Sequence, residues 1–224
     1  MSEPDIFYIL GNRVRRDLLS HLTCTECYFS FLSSKVSVSS TAVAKHLKIM
    51  EREGILKSYE REGPFIGPAR KYYDIAISKS YMVTLTPNIF WYRSLDLSKR
   101  PVEEAPLLSL IGRFLELSDE LNALLESMAE LESLRDSLMA KIKERYMAEI
   151  GDMTELAILH YLLLNGSATV DELSDGLNLK EREVLLKVRE LDRFVPLRIK
   201  ENTIEIDREK LKAKNGGEEN AGED

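Results

Sequence analysis

The chain has 224 residues, 44% of them hydrophobic and 31% charged, with a net charge of −7. That is apolar material for one large domain or two small ones. No apolar run approaches the length of a membrane span. The opening MSEPDIFYIL lacks the basic-then-apolar profile of a secretion signal, and two cysteines cannot staple a secreted scaffold of this size. A cytoplasmic protein without membrane contact is expected. Residues 1–100 carry 15 Lys+Arg against 10 Asp+Glu, whereas residues 101–224 carry 16 against 28. A polyanion partner is therefore expected for the first half alone. The chain has no glutamine but abundant Glu and Lys, a composition favoured in hyperthermophile proteins.

Residues 5–22 read as helix in two pieces, capped by Asp5 and by Asn12 after Gly11. Val14, Leu18, Leu19 and Leu22 recur at helical spacing, with Arg13, Arg15 and Arg16 assigned to the solvent side. A short helix is expected near 27–34, and a third from the Ser37–Ser40 break to about Glu53, stopped by Gly54. ILKSYER (55–61), a Gly/Pro-rich loop, RKYYDIAI (70–77) and YMVTLT (81–86) read as strands of a hairpin and a further strand. Three helices followed by a hairpin is the order of a winged helix-turn-helix, assigned to residues 1–98.

Lys99–Pro106 reads as a linker. From 107 to 150 one helix is expected, roughly 65 Å long at 1.5 Å per residue. Leu110, Phe114, Leu117, Leu121, Leu124, Met128 and Leu131 alternate steps of four and three, a heptad seam that continues through Leu138 and Ile142 with Arg135 at one seam position. The expected partner is the same helix of a second copy, making a homodimer. Residues 151–212 repeat the first architecture at weak similarity, LNLKEREVLLKVREL lying against VSVSSTAVAKHLKIM. Asp152 with Glu155 has capping-box spacing, Thr169 with Glu172 opens a second helix, and Asn178 is expected to cap a third. Residues 213–224 read as a disordered acidic tail. The fold class expected is mainly helical α+β, two winged-helix domains flanking a dimerisation helix.

In a helix-turn-helix the second helix of the motif enters the major groove, led by its N-terminal residues. If Val43, Leu47 and Met50 face the core, the face presented comprises Ser39, Ser40, Thr41, Ala44, Lys45 and Lys48, with His46 at its edge. Small hydroxyl and methyl groups permit close approach to base edges, and lysines suit phosphate or guanine. Arg61, Arg70 and Lys71 flank the wing loop and suit phosphates. The matching helix of the second domain interleaves Glu181, Glu183, Glu190 and Asp192 with its cations. It is read as protein-interacting or structural, and a contact with the transcription machinery is left open.

Cys24 and Cys27 stand as C-T-E-C, three apart, a spacing that makes neighbours within a helical turn. Three chemistries remain open. The pair is inert, or a redox dithiol whose disulfide would distort the support of the reading helix. In the third, His21, Cys24 and Cys27 are ligands of a metal-sensing repressor, although structural zinc wants a fourth N or S ligand. No phosphate-loop, nucleophile-elbow or zinc-protease motif occurs, so neither an enzyme nor a cofactor is expected.

LGNRVRRDLLSHL, SVSSTAVAKHLKIMEREGIL and a hairpin ending RKYYDI resemble the ArsR family of winged-helix regulators over about residues 5–78. Ser39, Ser40, Thr41, Lys45, His46, Leu47 and Lys48 fall at that family's reading-helix positions. With the CTEC pair, the long helix, ILHYLLLNG and the acidic end, nearly the whole chain is similar to sulfur-responsive regulators of hyperthermophilic archaea. The resemblance implies a dimeric transcription factor that binds promoter DNA with Cys24 and Cys27 reduced. It also implies control of hydrogenase and sulfur-metabolism genes, with release when sulfur oxidises the pair.

Overall fold

The computed structural model describes residues 5–23, 27–62 and 69–218. The chain divides into two compact units, residues 1–81 with 94–101, and residues 82–93 with 102–224. Among the described residues no helix is long and apolar enough to cross a membrane.

The first unit opens with α1 (Ile6–Leu10) and α2 (Arg13–Leu22). The Asp5 carboxylate accepts from Tyr8 N at 2.9 Å and the Asn12 amide oxygen accepts from Arg15 N at 3.2 Å. Each cap satisfies a backbone donor that the first turn leaves over. Arg15 does not take the solvent side expected of it; it is buried. Its guanidinium donates to Tyr8 O and, at 3.0 Å, to Ile9 O, and it lies 4.5 Å from the Tyr8 ring centre. Arg16 donates to Leu10 O. The two arginines thus occupy the carbonyls that end α1, where a cation also complements the helix dipole.

The short helix expected at 27–34 begins two residues late. Cys27–Tyr28 form a strand, β1, and α3 follows at Phe29–Lys35. Then come α4 (Ser40–Arg52), β2 (Leu56–Arg61) and β3 (Arg70–Ile75). Gly54, at φ +73°, occupies the left-handed region that turns the chain out of α4. The antiparallel sheet runs β1-β3-β2, with Cys27 opposite Tyr73 and Tyr28 opposite Tyr72. Ile9, Leu18, Leu32, Val43, Leu47, Met50 and Ile55 close the core, joined by Cys27 and Tyr73. Burying each such aliphatic side chain contributes about 1.5–3 kcal/mol.

A separate two-stranded ribbon is made by β4 (Lys79–Leu85) and β5 (Phe90–Asp96). Its turn belongs to the second unit and is held there by one carboxylate. Asp136 accepts from Thr86 Oγ1 at 2.6 Å and from Asn88 N at 2.9 Å. His160 Nε2 lies 2.9 Å from Asn88 O.

Asp136 belongs to α5 (Leu107–Glu149), a single helix of 43 residues. Its lower part is buried at Met139 and Tyr146. Most of the heptad seam is open: Phe114, Leu117, Leu121, Leu124 and Leu131 are all exposed. The second unit continues through α6 (Met153–Asn165), β6 (Ser167–Thr169), α7 (Val170–Leu177), α8 (Glu181–Leu191), β7 (Leu197–Lys200), β8 (Thr203–Ile206) and α9 (Arg208–Glu218). Its antiparallel sheet runs β6-β8-β7. From α2 and from α6 onward the two units therefore share one order: helix, short strand, two helices, hairpin. In both, the short strand pairs with the second strand of the hairpin. The second core is built on Ile158, Leu162, Leu173, Val184, Val188, Leu191 and Ile204.

Three expectations change here. Asn178 does not open α8 but closes α7 in the left-handed region at φ 52°, and Lys180 holds the N-cap position of α8. The backbone of residues 213–218 continues α9, and the rest of the expected disordered tail lies outside the described residues. Asp152 accepts from the amides of Thr154 and Glu155, both at 2.9 Å. Glu155 does not return the bond. It is buried, accepts from Tyr146 Oη at 2.7 Å and meets Lys187 Nζ at 3.2 Å. Lys187 also donates to Asp152 and Glu190, both at 2.7 Å.

This network ties α5, α6 and α8 around one ammonium. The Asp152, Glu190 and Glu155 carboxylates hold the Lys187 ammonium in its charged form, raising its pKa. The bond from Lys187 leads the causes that hold Asp152 below its usual range. The stabilisation is complete above the unfolded carboxylate pKa of 3.8 and fades as the pH falls through the lower folded value. It is complete below the unfolded lysine pKa of 10.5 and fades as alkali rises through the higher folded value. Lys187→Met leaves Glu155 buried without its cation and costs about 3 kcal/mol. Calorimetry at neutral pH should show that loss in the second unit, and the variant's stability should be flatter than the parent's below about pH 4. An unchanged melting profile would remove the network from the fold's supports.

Candidate nucleic-acid interface

The orientation of α4 follows from three side chains. Val43, Leu47 and Met50 are completely buried, at i, i+4 and i+7. A helix that buries this stripe turns the opposite one outward. Ser40, Thr41, Ala44, Lys45 and Lys48 are all exposed. Ser39 is exposed as well, but its hydroxyl accepts from Ala42 N at 3.3 Å and caps the helix. No acid stands in the first turn, so the positive end of the helix dipole meets solvent without a carboxylate of its own.

His46 has a different position from the lysines beside it. It is half-buried, and its Nδ1 is buried with no hydrogen-bond partner among the described residues. Burial first, then the charges of Arg15 and Lys45, push the imidazole below its usual pKa. At neutral pH His46 is therefore neutral, and it shapes the edge of the face instead of adding positive charge.

Beside α4 stands the β2–β3 hairpin, whose tip, residues 63–68, lies outside the described residues. Arg61 and Arg70 are exposed and directly opposite each other across the strand pair. Directly opposite positions in a strand pair place both side chains on one face of the hairpin. The Arg70 guanidinium lies 4.8 Å from the Tyr28 ring centre, and Tyr72 meets Tyr28 edge-on at 5.7 Å. Lys71 points elsewhere, its ammonium 3.3 Å from Glu51 and 5.1 Å from the Tyr73 ring centre.

Sequence reasoning did not pick out one further polar cleft with two basic side chains, Arg13 and Lys35. Arg13, His21, Lys35 and Ser37 line an open cleft of about 470 Å³ between α2 and the turn leading into α4. Asp17 also lines it and lies 3.8 Å from Arg13. Lys35 is the last residue of α3 and therefore sits at the corner before the presented helix. Its position after an apolar helical stripe was the available signal.

Cys27 is not on a helical turn. It lies in β1, 1% exposed within the first core, and its thiol donates to His21 O at 3.3 Å. Through that contact and its register with Tyr73 it touches α2 and the hairpin strand β3. Cys24, the other half of the CTEC motif, lies outside the described residues. The ligand set of the metal reading includes Cys24 and so shares that position. Among the described residues no cluster of three His, Cys, Asp or Glu is arranged to hold a metal ion.

The arrangement offers chemistry for a polyanion: a helix end without acids, small hydroxyl side chains, two outward lysines and a pair of arginines on an adjacent hairpin. Residues 169–210, in the second unit, match the model of the PF0095-like C-terminal domain. No curated protein matches the chain.

Proposed function

We propose that this chain is a winged-helix regulator of transcription of the ArsR type, a cytoplasmic protein without catalytic activity. It binds double-stranded promoter DNA by laying α4 in the major groove and the β2–β3 wing along the backbone. The observation that carries the reading is the face of α4. Its buried Val43–Leu47–Met50 stripe turns Ser40, Thr41, Ala44, Lys45 and Lys48 outward together. Lysines and hydroxyls supply contacts to base edges and phosphates, and Arg61 and Arg70 neutralise backbone charge.

The same proposal makes Cys24 and Cys27 its switch. In the reduced state the protein binds promoters of hydrogenase and sulfur-metabolism genes. Oxidation by elemental sulfur removes two electrons and two protons from the thiols. It forms one S–S bond, and the sulfur leaves as hydrogen sulfide. The burial of Cys27 against the core that seats α4 supports the coupling, since interiors packed at crystal-like density transmit small displacements. Resemblance to sulfur-responsive archaeal regulators supports the choice of oxidant and genes.

The regulator is a homodimer paired along α5. The open seam from Phe114 to Leu131 supports this, because exposed apolar stripes of that length mark interfaces. A dimer also matches two α4 helices to two half-sites.

Two measurements test the proposal. On a duplex taken from the chain's own upstream region, Lys45→Ala should weaken binding by about 1–3 kcal/mol if the lysine reads a base. Arg70→Ala should lower the slope of log affinity against log salt by about one. Unchanged affinity and slope in both would place the nucleic-acid face elsewhere. By sedimentation the parent should run at twice the chain mass and Leu121→Asp as a monomer. Equal mass for both would exclude the seam as the interface.

A further inference from the structure

Helix α8 holds in the second unit the place that α4 holds in the first, and the two bury the same pattern. Val184, Val188 and Leu191 are completely buried at i, i+4 and i+7, as are Val43, Leu47 and Met50. Aligning the buried stripes aligns the outward ones. Arg182 and Arg189 fall where α4 has Thr41 and Lys48, while Leu185 and Leu186 fall where it has Ala44 and Lys45. Leu185 is 40% and Leu186 56% exposed. With Lys180, Arg182 and Arg189 they line an open groove of about 630 Å³.

Of the four acids that alternate with these cations in the sequence, Glu190 and Asp192 are occupied elsewhere, while Glu181 is exposed. Glu190 is taken by Lys187 at 2.7 Å. Asp192 accepts from Leu197 N at 2.7 Å. Glu183, also at the groove, turns one oxygen back to Lys180 N at 3.1 Å. Among the described residues no carboxylate pairs with Lys180, Arg182 or Arg189. The groove therefore has an apolar floor and a rim of three cations, Lys180, Arg182 and Arg189, with the single carboxylate of Glu183.

We propose that this face of α8 docks an acidic, leucine-bearing helical segment of a partner protein. A helix laid in a groove uses apolar side chains at i, i+3, i+4 and i+7 for affinity. Carboxylates beside them meet the rim and set specificity and association rate. Nucleic acid fits the face poorly, because Leu185 and Leu186 stand where a reading helix needs hydrogen-bonding groups and they offer no donor to a base edge. The proposal is independent of the DNA reading of α4, since it uses a different unit and a different surface.

The test uses the full chain and three labelled probes in fluorescence anisotropy. The first is a synthetic helix with leucine at the i, i+3, i+4, i+7 positions and glutamate at most others. The second replaces each glutamate with lysine. The third is a DNA duplex from the chain's upstream region. The acidic helix should bind saturably and the lysine helix should not. Leu186→Ser and Arg182→Glu should each weaken the acidic helix roughly tenfold, the scale of a charge or apolar anchor at an interface. Both variants should keep the parent's melting temperature and affinity for the duplex. Absence of saturable binding by the acidic helix, or equal binding by parent and both variants, overturns the proposal. So does a loss of duplex affinity in Arg182→Glu at unchanged melting temperature, which would assign α8 to nucleic acid.

Discussion

The fold and its candidate interface both depend on a buried stripe of three residues on the helix before each hairpin. A helix that places three aliphatic side chains in a close-packed core has no rotational freedom left about its axis. Turning it enough to expose Leu47 or Val188 would surrender apolar burial and open a cavity at the same time. The outward residues of α4 and α8 are thus set by their inward ones. From identical constraints the two units present different chemistry. One helix shows hydroxyls and lysines, and the other shows leucines rimmed by cations.

The supports around the first stripe explain why a chemical change at a cysteine is expected to reach α4. Cys27 packs in the same core as Val43, Leu47 and Met50, donates to the carbonyl of His21 on α2, and pairs in register with Tyr73 on the hairpin. Its backbone and side chain therefore touch the structures that seat the presented helix and its hairpin. Arg15 fixes the neighbouring end of the unit by satisfying the carbonyls that terminate α1. In the second unit the Lys187 network has the corresponding part, joining three helices through one ammonium.

Much of this was legible in the residue pattern, and the remainder fails for identifiable reasons. The long helix and the outward face of α4 are readable because period 3.5 and i, i+4, i+7 burial are written in apolar positions. The strands β1 and β6 have two and three residues. They carry no period and exist only through partners far along the chain, as Cys27 does through Tyr73. Strand β5 has no buried face to alternate, since Phe90, Tyr92 and Leu95 are all exposed. Arg15 read as solvent-facing because its carbonyl partners belong to the preceding helix. Asp152 and Glu155 have capping-box spacing, yet spacing alone does not reveal that Tyr146 and Lys187 compete for the glutamate. The acids of α8 likewise appear in sequence to cancel its cations, although Glu190 and Asp192 are committed to other partners.

The central claim is that α4 meets DNA in a state governed by the cysteine pair. It is tested most directly by titrating a duplex from the chain's own upstream region with reduced and with sulfur-oxidised protein. Cys24→Ser is carried through the same treatment. The account predicts that the reduced parent binds, that the oxidised parent does not, and that dithiothreitol restores binding. Cys24→Ser should bind before and after oxidant. Equal affinity of the reduced and oxidised parent, or loss of binding by oxidised Cys24→Ser, would contradict it.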